Sequence, residues 1–221
     1  MATRPSHRTL VTLAALNIAI HITAMAFAAL GMRPGTPAIP LAERMAFLAT
    51  SPPGWTVGWG AWMLCAVIDV AFIAALAACD ARRSPLTTLG LAVVAAGAAI
   101  DLTWDTIHIT VLPLIAATRP RPDALFLAVE RAAWACGAVV ANAFYSIATL
   151  LVTWALRAGG LVPAASLWLA AATFASSMLM VVAGFTGVPR QLELASVPTI
   201  FFFVLWTALT ARALARRTPG A

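Results

Sequence analysis

The sequence predicts an all-α membrane protein whose single domain is a bundle of six transmembrane helices. The chain has 221 residues, 62% of them hydrophobic, and its mean hydropathy is +0.92, whereas soluble domains are only about 45–50% apolar. The apolar residues form six runs of about 20 residues or more, which is the length that a helix needs to cross a bilayer. Most arginines fall in the short loops between these runs, as is typical of charges that fix membrane topology.

The arginines also predict the orientation of the helices. The predicted spans cover residues 10–31, 55–79, 88–116, 124–156, 163–184 and 195–214. If both termini are cytoplasmic, eight of the 14 arginines lie at the cytoplasmic end, which agrees with the positive-inside rule. Arginine in place of lysine, together with many alanines, suggests a GC-rich bacterial genome. We therefore expect an integral protein of the bacterial cytoplasmic (inner) membrane with both termini inside.

A short amphipathic helix is predicted between spans 1 and 2, in the stretch LAERMAFLAT. Leu41, Met45 and Leu48 share one face at helical spacing, and Glu43 and Arg44 would turn away from it. Such a helix is expected to lie at the membrane surface. The pattern leaves open whether it packs against the rim of the bundle or acts as a lid over a cavity.

Ionisable residues in the third span are the main sign of a functional site. Asp101, Asp105 and His108 follow the spacing i, i+4, i+7, so a helix places them on one face, with Trp104 beside them. A charge in the middle of a bilayer costs several kcal/mol, and such residues usually face a partner or a cavity. These residues therefore predict a polar site inside the membrane.

Three other spans carry polar residues at similar predicted depths. Counting about 1.5 Å per residue from the outer ends of the spans places them at three levels. From the outer face inward the levels are Glu130 with His108, His21 with Asp105, and Asp69 with Asp101, and Asn17 follows one turn below His21. The sequence therefore predicts a polar-floored pocket among spans 1 to 4.

Aromatic side chains are predicted to wall this pocket. Trp59, Trp62 and Asp69 lie on one stripe of the second span. The third and fourth spans add Trp104, Trp134, Asn142, Tyr145 and Arg131 as candidate binding residues. Span 5 has no ionisable residue and span 6 is apolar, and we interpret both as scaffold or as the surface of a homo-oligomer.

A resemblance supports the predicted fold. The stretch ERAAWACGAVVANAFYSIATLLVTWALR through GLVPAASLW resembles uncharacterised six-helix bacterial membrane proteins. The resemblance covers about the last half of the chain and rests on its pattern of spans. It implies a six-helix fold and carries no activity.

The predicted site favours an intramembrane enzyme that acts on a hydrophobic or lipid-borne substrate. A carboxylic acid in an apolar cavity can protonate an alkene or epoxide, and aromatic faces stabilise the carbocation that results. Asp101, Asp105 and Asp69 are the candidate acids, His108 and His21 the candidate bases, and Glu130 a further catalytic candidate. This chemistry is similar to that of membrane-bound terpene cyclases and sterol isomerases, so we expect isoprenoid cyclisation or double-bond isomerisation without a metal or cofactor.

Other classes of function remain open at this point. Buried acids and a tryptophan-lined cavity also suit a proton-coupled transporter or a binding protein for an apolar or cationic small molecule. His21 and His108 could ligate haem, and together with Asp105 and Glu130 they could hold a metal. A structural subunit of a larger complex is a third class. The formal charge of +6 does not indicate nucleic acid, because the arginines lie beside apolar spans, and the absence of lysine excludes a Schiff base.

Overall fold

A computed structural model confirms the six-span, all-α prediction. It describes residues 5–186 and 189–217, which form helices and turns with no strand. Within these residues six helices are long and apolar enough to cross a membrane. They are His7–Gly35, Pro53–Cys79, Pro85–Ala117, Asp123–Ala158, Ala164–Phe185 and Leu194–Ala215. The protein is therefore an integral membrane protein, and each predicted span lies within a few residues of the observed helix.

Two of the spans are composed of more than one helical segment. In chain order the α-helices are α1 His7–Phe27, α2 Leu41–Leu48, α3 Pro53–Cys79, α4 Pro85–Ala117, α5 Asp123–Ala133, α6 Asn142–Ala158, α7 Ala164–Thr186 and α8 Pro189–Ala215. A wider π turn, Ala28–Met32, continues α1. Another π turn, Trp134–Ala141, joins α5 to α6 within the fourth span. Hydropathy does not distinguish a π turn from an α-helix, so neither turn was predicted.

Serine caps begin two of the spans. The Ser6 hydroxyl accepts a hydrogen bond from the Thr9 amide at 3.1 Å at the start of α1. At the start of α4 the Ser84 hydroxyl accepts from the Leu86 amide at 3.3 Å, and Pro85 occupies the first helical position. These residues satisfy or remove amides that have no partner in the first turn of a helix.

The six spans form a closed ring in chain order. Helix α1 packs on α3, α3 on α4, α4 on α6, α6 on α7, α7 on α8, and α8 packs back on α1. The helices are apolar on most sides, and large side chains such as Leu30, Trp168 and Phe185 are more than 70% exposed. Lipid accounts for this exposure, because a helix that spans a membrane needs no polar outer face.

Apolar side chains fill the interior of the bundle over one half of its length along the helix axes. The largest cluster of buried apolar residues includes Leu10, Phe72, Leu76, Leu156 and Trp206, with contributions from each of the six spans. It lies at the end where the first span begins and the sixth span ends. We call this end the packed half.

Two glycines allow α4 and α6 to approach closely. A Cβ atom at Gly90 would lie 2.6 Å from a Val152 methyl carbon, and one at Gly97 would lie 2.9 Å from the Cβ of Phe144. Both distances are below ordinary van der Waals contact, so any larger residue would push the helices apart. Gly97 lies one turn before Asp101 and helps to set the position of that carboxyl.

Helix α2 packs onto the bundle, and the orientation predicted for Arg44 is wrong. Met45 and Leu48 are buried against Trp55 and Phe126, as the apolar face predicts. Arg44 is also buried, with 7% of its surface exposed, although the pattern predicted that it would turn away from the apolar face. Arg44 is buried because it forms an ion pair with Glu130 on the fourth span.

Candidate functional site

In the other half of its length, the bundle encloses a cavity of about 1110 Å³. Small-molecule pockets usually measure roughly 300–1,000 Å³, so this cavity has room for a large apolar ligand. All six spans contribute to its wall. The prediction of a pocket among spans 1 to 4 was too narrow, because Thr173 and Met180 of α7 and Thr199 and Phe203 of α8 also line it.

Three buried residues of α1 and α3 form a connected group beside the cavity. His21 and Asp69 line its wall, whereas Asn17, predicted as a binding residue, is not among the described residues that line it. The Asn17 amide donates to Asp69 Oδ1 at 2.6 Å, and His21 Nε2 lies 3.7 Å from Asp69 Oδ2. His21 Nδ1 lies 2.9 Å from the Asn17 carbonyl oxygen. Because a carbonyl can only accept, Nδ1 carries a proton and Nε2 is the ring nitrogen that faces Asp69. We call these residues the Asp69–His21 pair and its Asn17 anchor.

Asp101 has a different partner on the fourth span. The Tyr145 hydroxyl donates to Asp101 Oδ2 at 2.9 Å, and both residues line the cavity. The π turn passes close by, since a Cβ atom at Gly137 would lie 3.7 Å from Asp101 Oδ1 and 3.4 Å from the Cβ of Trp104. Trp104 was predicted to wall the pocket, but it is not among the described residues that line the cavity.

Asp105 is a buried carboxyl with an unsatisfied oxygen. It lines the cavity and only 1% of its surface is exposed, yet its Oδ2 has no hydrogen-bond partner among the described residues. An unsatisfied buried acceptor costs about 1–3 kcal/mol. A bound group that donates a hydrogen bond would remove that cost, and protonation would remove the separate cost of burying a charge.

His108 is enclosed by the indole rings of three tryptophans. It stacks on Trp59 with 3.9 Å between ring centroids and an interplanar angle of 6°. Trp55 and Trp134 contact it edge-on, at 5.9 Å and 5.4 Å between centroids. His108 is not among the described residues of the cavity wall, whereas Trp59 and Trp134 are. The shared face with Asp105 therefore does not bring His108 into the cavity.

An ion pair ties α2 to the fourth span at the other side of the cavity. Arg44 Nη2 donates to Glu130 Oε2 at 2.7 Å, and Arg44 Nη1 donates to the Ile39 carbonyl at 2.7 Å. Only 3% of Glu130 is exposed, and the guanidinium carbon of Arg44 lies 6.0 Å from the centre of the Phe126 ring. Sequence reasoning missed Arg44, although a buried Glu130 needs a cation, and this could have pointed to it.

The remaining predicted residues fall in different places. Trp62, Asn142 and Arg131 line the cavity as predicted. Arg33, which the sequence did not single out, also lines it. The predicted levels pair the acids wrongly: the observed pairs are Glu130 with Arg44, Asp69 with His21, and Asp101 with Tyr145.

The residues do not fit a metal or haem site. Among the described residues, no group of three or more His, Cys, Asp or Glu is placed to hold a metal ion. The two ring nitrogens of His21 face Asn17 and Asp69, and His108 is stacked on Trp59 with Trp134 edge-on to it. Bis-histidine ligation would require both imidazoles to give up these contacts.

Comparisons with protein-family models, with curated proteins and with solved structures find no match to this chain. The fold and the site therefore define its class by themselves. It is an integral membrane bundle of six helices with an internal cavity lined by carboxyls, indoles and arginines.

Proposed function

We propose that the protein is an intramembrane enzyme that catalyses acid-initiated cyclisation or double-bond isomerisation of an isoprenoid-like lipid. The observation that carries the proposal is Asp105, a buried carboxyl on the wall of a large cavity with an oxygen that has no hydrogen-bond partner among the residues that the structure describes. Apolar surroundings without a donor favour a neutral carboxylic acid over a carboxylate. A neutral carboxylic acid can donate a proton to a bound alkene.

The first step forms a carbocation. The O–H proton of Asp105 passes to one alkene carbon, the π electron pair forms the new C–H bond, and the neighbouring carbon becomes cationic. The indole rings of Trp59 and Trp62 on the wall of the same cavity would attract this charge, Trp59 through the face that is not stacked on His108. In a cyclisation, a second double bond of the substrate attacks the cation and closes a ring.

The second step removes a proton from a carbon beside the cation. The Asp69–His21 pair is the base, and the electrons of the broken C–H bond form the new double bond. Asn17 holds the Asp69 carboxylate for this role through its amide. Asp101, one turn from Asp105 and bonded to Tyr145, is a relay that returns the proton to Asp105 through water. The sequence is redox-neutral and needs no co-reactant.

Deuterium incorporation tests the proposal. The purified protein in lipid nanodiscs is incubated in D2O with the isoprenoid fraction of bacterial membranes, and the products are analysed by mass spectrometry. We expect one deuterium per turnover with the wild type and none with Asp105→Asn. Glu43→Gln is the matched control, because Glu43 is an exposed carboxyl on α2 outside the cavity wall.

Transport is the competing outcome. Proton-coupled uptake of an unchanged ligand into liposomes, without deuterium in any lipid, would overturn the enzyme proposal. The apolar cluster of the packed half argues against transport, because it fills the route from the cavity to the opposite end of the bundle.

A further inference from the structure

Charged side chains are unevenly distributed over the cavity wall. The carboxyls of Asp69 and Asp105 are buried, whereas the arginines on the wall include Arg33 and Arg131, whose side chains are exposed. Arg33 follows the first π turn, and Arg131 lies in the last turn of α5. The cavity therefore has an acidic interior and a cationic rim.

The buried ion pair at this rim is incomplete on both sides. Arg44 Nε is a donor without an acceptor, and Glu130 Oε1 is an acceptor without a donor, among the described residues. Both side chains are more than nine-tenths buried and both line the cavity. A single ligand group that both accepts and donates hydrogen bonds would satisfy the unpaired donor and the unpaired acceptor together.

We propose that the rim binds the phosphate monoester head of an amphiphile whose apolar tail lies along the indole wall. The phosphoryl oxygens would accept from Arg44 Nε and from Arg33 and Arg131, and a P–OH group would donate to Glu130 Oε1. Arginine suits such oxyanions because its planar fork of donors binds two oxygens at once. Three arginines against one glutamate leave a positive charge that a dissociated phosphate offsets and an alcohol does not.

This inference names the substrate class of the same cavity and rests on the proposed function only in taking the cavity as the substrate site. A membrane phosphate ester would keep its head at the rim while its tail reaches Asp105. An ionised carboxylate head fits less well, because it cannot donate to Glu130 Oε1.

Binding of simple alkyl probes tests the head group separately from catalysis. The full chain in detergent is titrated with octyl phosphate, octanol, octanoate and inorganic phosphate, and binding is followed by the fluorescence of the cavity tryptophans. We expect octyl phosphate to bind at least about tenfold more tightly than each of the others, which corresponds to one additional charge-assisted contact. Octyl phosphate has no double bond, so its binding does not depend on turnover.

Arginine variants locate the contact. Arg131→Gln and Arg33→Gln should each raise the Kd of octyl phosphate about tenfold and leave the Kd of octanol unchanged. Arg121→Gln is the matched control, because Arg121 is an exposed arginine at the same end of the bundle and its ion pair is with Asp123, outside the cavity wall. All three variants replace exposed side chains, so folding should be preserved, and far-UV circular dichroism checks this.

The possible results are distinct. Equal affinity for octanol, octanoate or inorganic phosphate would overturn the proposal, because either the phosphate or the tail would then contribute nothing. Arg121→Gln weakening octyl phosphate as much as Arg131→Gln would also overturn it, since the effect would be general electrostatics. Tight, arginine-dependent binding without deuterium incorporation would support the head-group site while the catalytic proposal fails.

Discussion

At the scale of single residues, hydroxyls in the packed half differ in whether they have a partner. Thr153 accepts a hydrogen bond from the Trp206 indole at 2.8 Å and donates to the Thr149 carbonyl at 2.6 Å. Thr207 is equally buried, but its hydroxyl has no partner among the described residues. The same substitution should therefore have opposite effects at the two positions.

We expect Thr153→Val to lower the free energy of unfolding by about 1 kcal/mol, because it leaves the Trp206 N–H without an acceptor. Thr207→Val should be neutral or stabilising, because it removes an unsatisfied polar atom. Reversible unfolding in mixed micelles, followed by far-UV circular dichroism, measures both changes. A larger loss for Thr207→Val than for Thr153→Val would contradict the hydrogen bond.

The sequence predicted which acidic residues line the cavity better than it predicted which side chains they contact. The unusual cost of a charge in lipid singles out Asp69, Asp101 and Asp105 in the sequence, and all three line the cavity. Helical spacing gives the face of α4 but not its rotation against α3, so it could not show that His108 lies among indoles. Nor could depth along a span predict that Asp101 bonds Tyr145 rather than Asp69.

At the scale of elements, the contact between α4 and α6 depends on small residues. Gly97→Ala would place a methyl group 2.9 Å from the Phe144 Cβ and 3.3 Å from the Ala141 carbonyl oxygen. Neither atom is the free end of a flexible side chain, so the helices must shift. Overpacking of this kind costs about 1–3 kcal/mol of unfolding free energy.

Gly60 provides the control within another span. A Cβ atom there meets nothing within 4 Å, and alanine is a better helix former than glycine by up to about 1 kcal/mol. We expect Gly60→Ala to be neutral or stabilising in the same unfolding assay that shows a loss for Gly97→Ala. Equal stabilities of the two variants would mean that α4 and α6 are not in close contact.

A buried ion pair between Arg44 and Glu130 adds to the apolar contacts that hold helix α2 to the bundle, and a double-mutant cycle can measure it. Arg44→Met should cost about 3 kcal/mol, because it leaves the Glu130 carboxylate buried without its cation. Adding Glu130→Gln should recover at least half of that loss, since the second charge is then removed as well. Glu43→Gln, an exposed neighbour on the same helix, should leave the unfolding free energy unchanged. Additive losses would show that the pair does not interact.

The position of Arg44 shows why amphipathic patterns fail near a cavity. The apolar face of α2 correctly predicts that Met45 and Leu48 are buried. A hydropathy pattern treats every charge as facing water, whereas Arg44 faces an acid on a distant part of the chain. A contact between residues 86 positions apart leaves no trace in local periodicity.

At the scale of the whole molecule, hydropathy predicts the number and limits of the spans because the bilayer requires long apolar helices. It does not predict their order around the ring, because lipid and neighbouring helices are similarly apolar. The assignment of α7 and α8 as scaffold was incomplete for this reason: their outer sides are exposed and apolar, but residues on their inner sides, such as Thr173 and Phe203, line the cavity.

The cavity also changes how the arginine bias is interpreted. The predicted orientation leaves the other six of the 14 arginines at the outer end. Three of these six, Arg33, Arg44 and Arg131, line the cavity. Their position is explained by the cavity, so they carry little information about topology. The remaining arginines favour the predicted orientation, with both termini inside, more strongly than the full count does.

This orientation places the mouth of the cavity on the non-cytoplasmic side, and side-specific labelling tests it. In a parent with all three native cysteines replaced by alanine, a membrane-impermeant maleimide is added to intact cells that express Arg121→Cys or Arg157→Cys. Both native side chains are exposed, at opposite ends of the bundle. We expect labelling at position 121 in intact cells, and at position 157 only after the membrane is permeabilised. The reverse pattern would place the cationic rim at the cytoplasmic face, and its phosphate ester would then have to be a lipid of the inner leaflet.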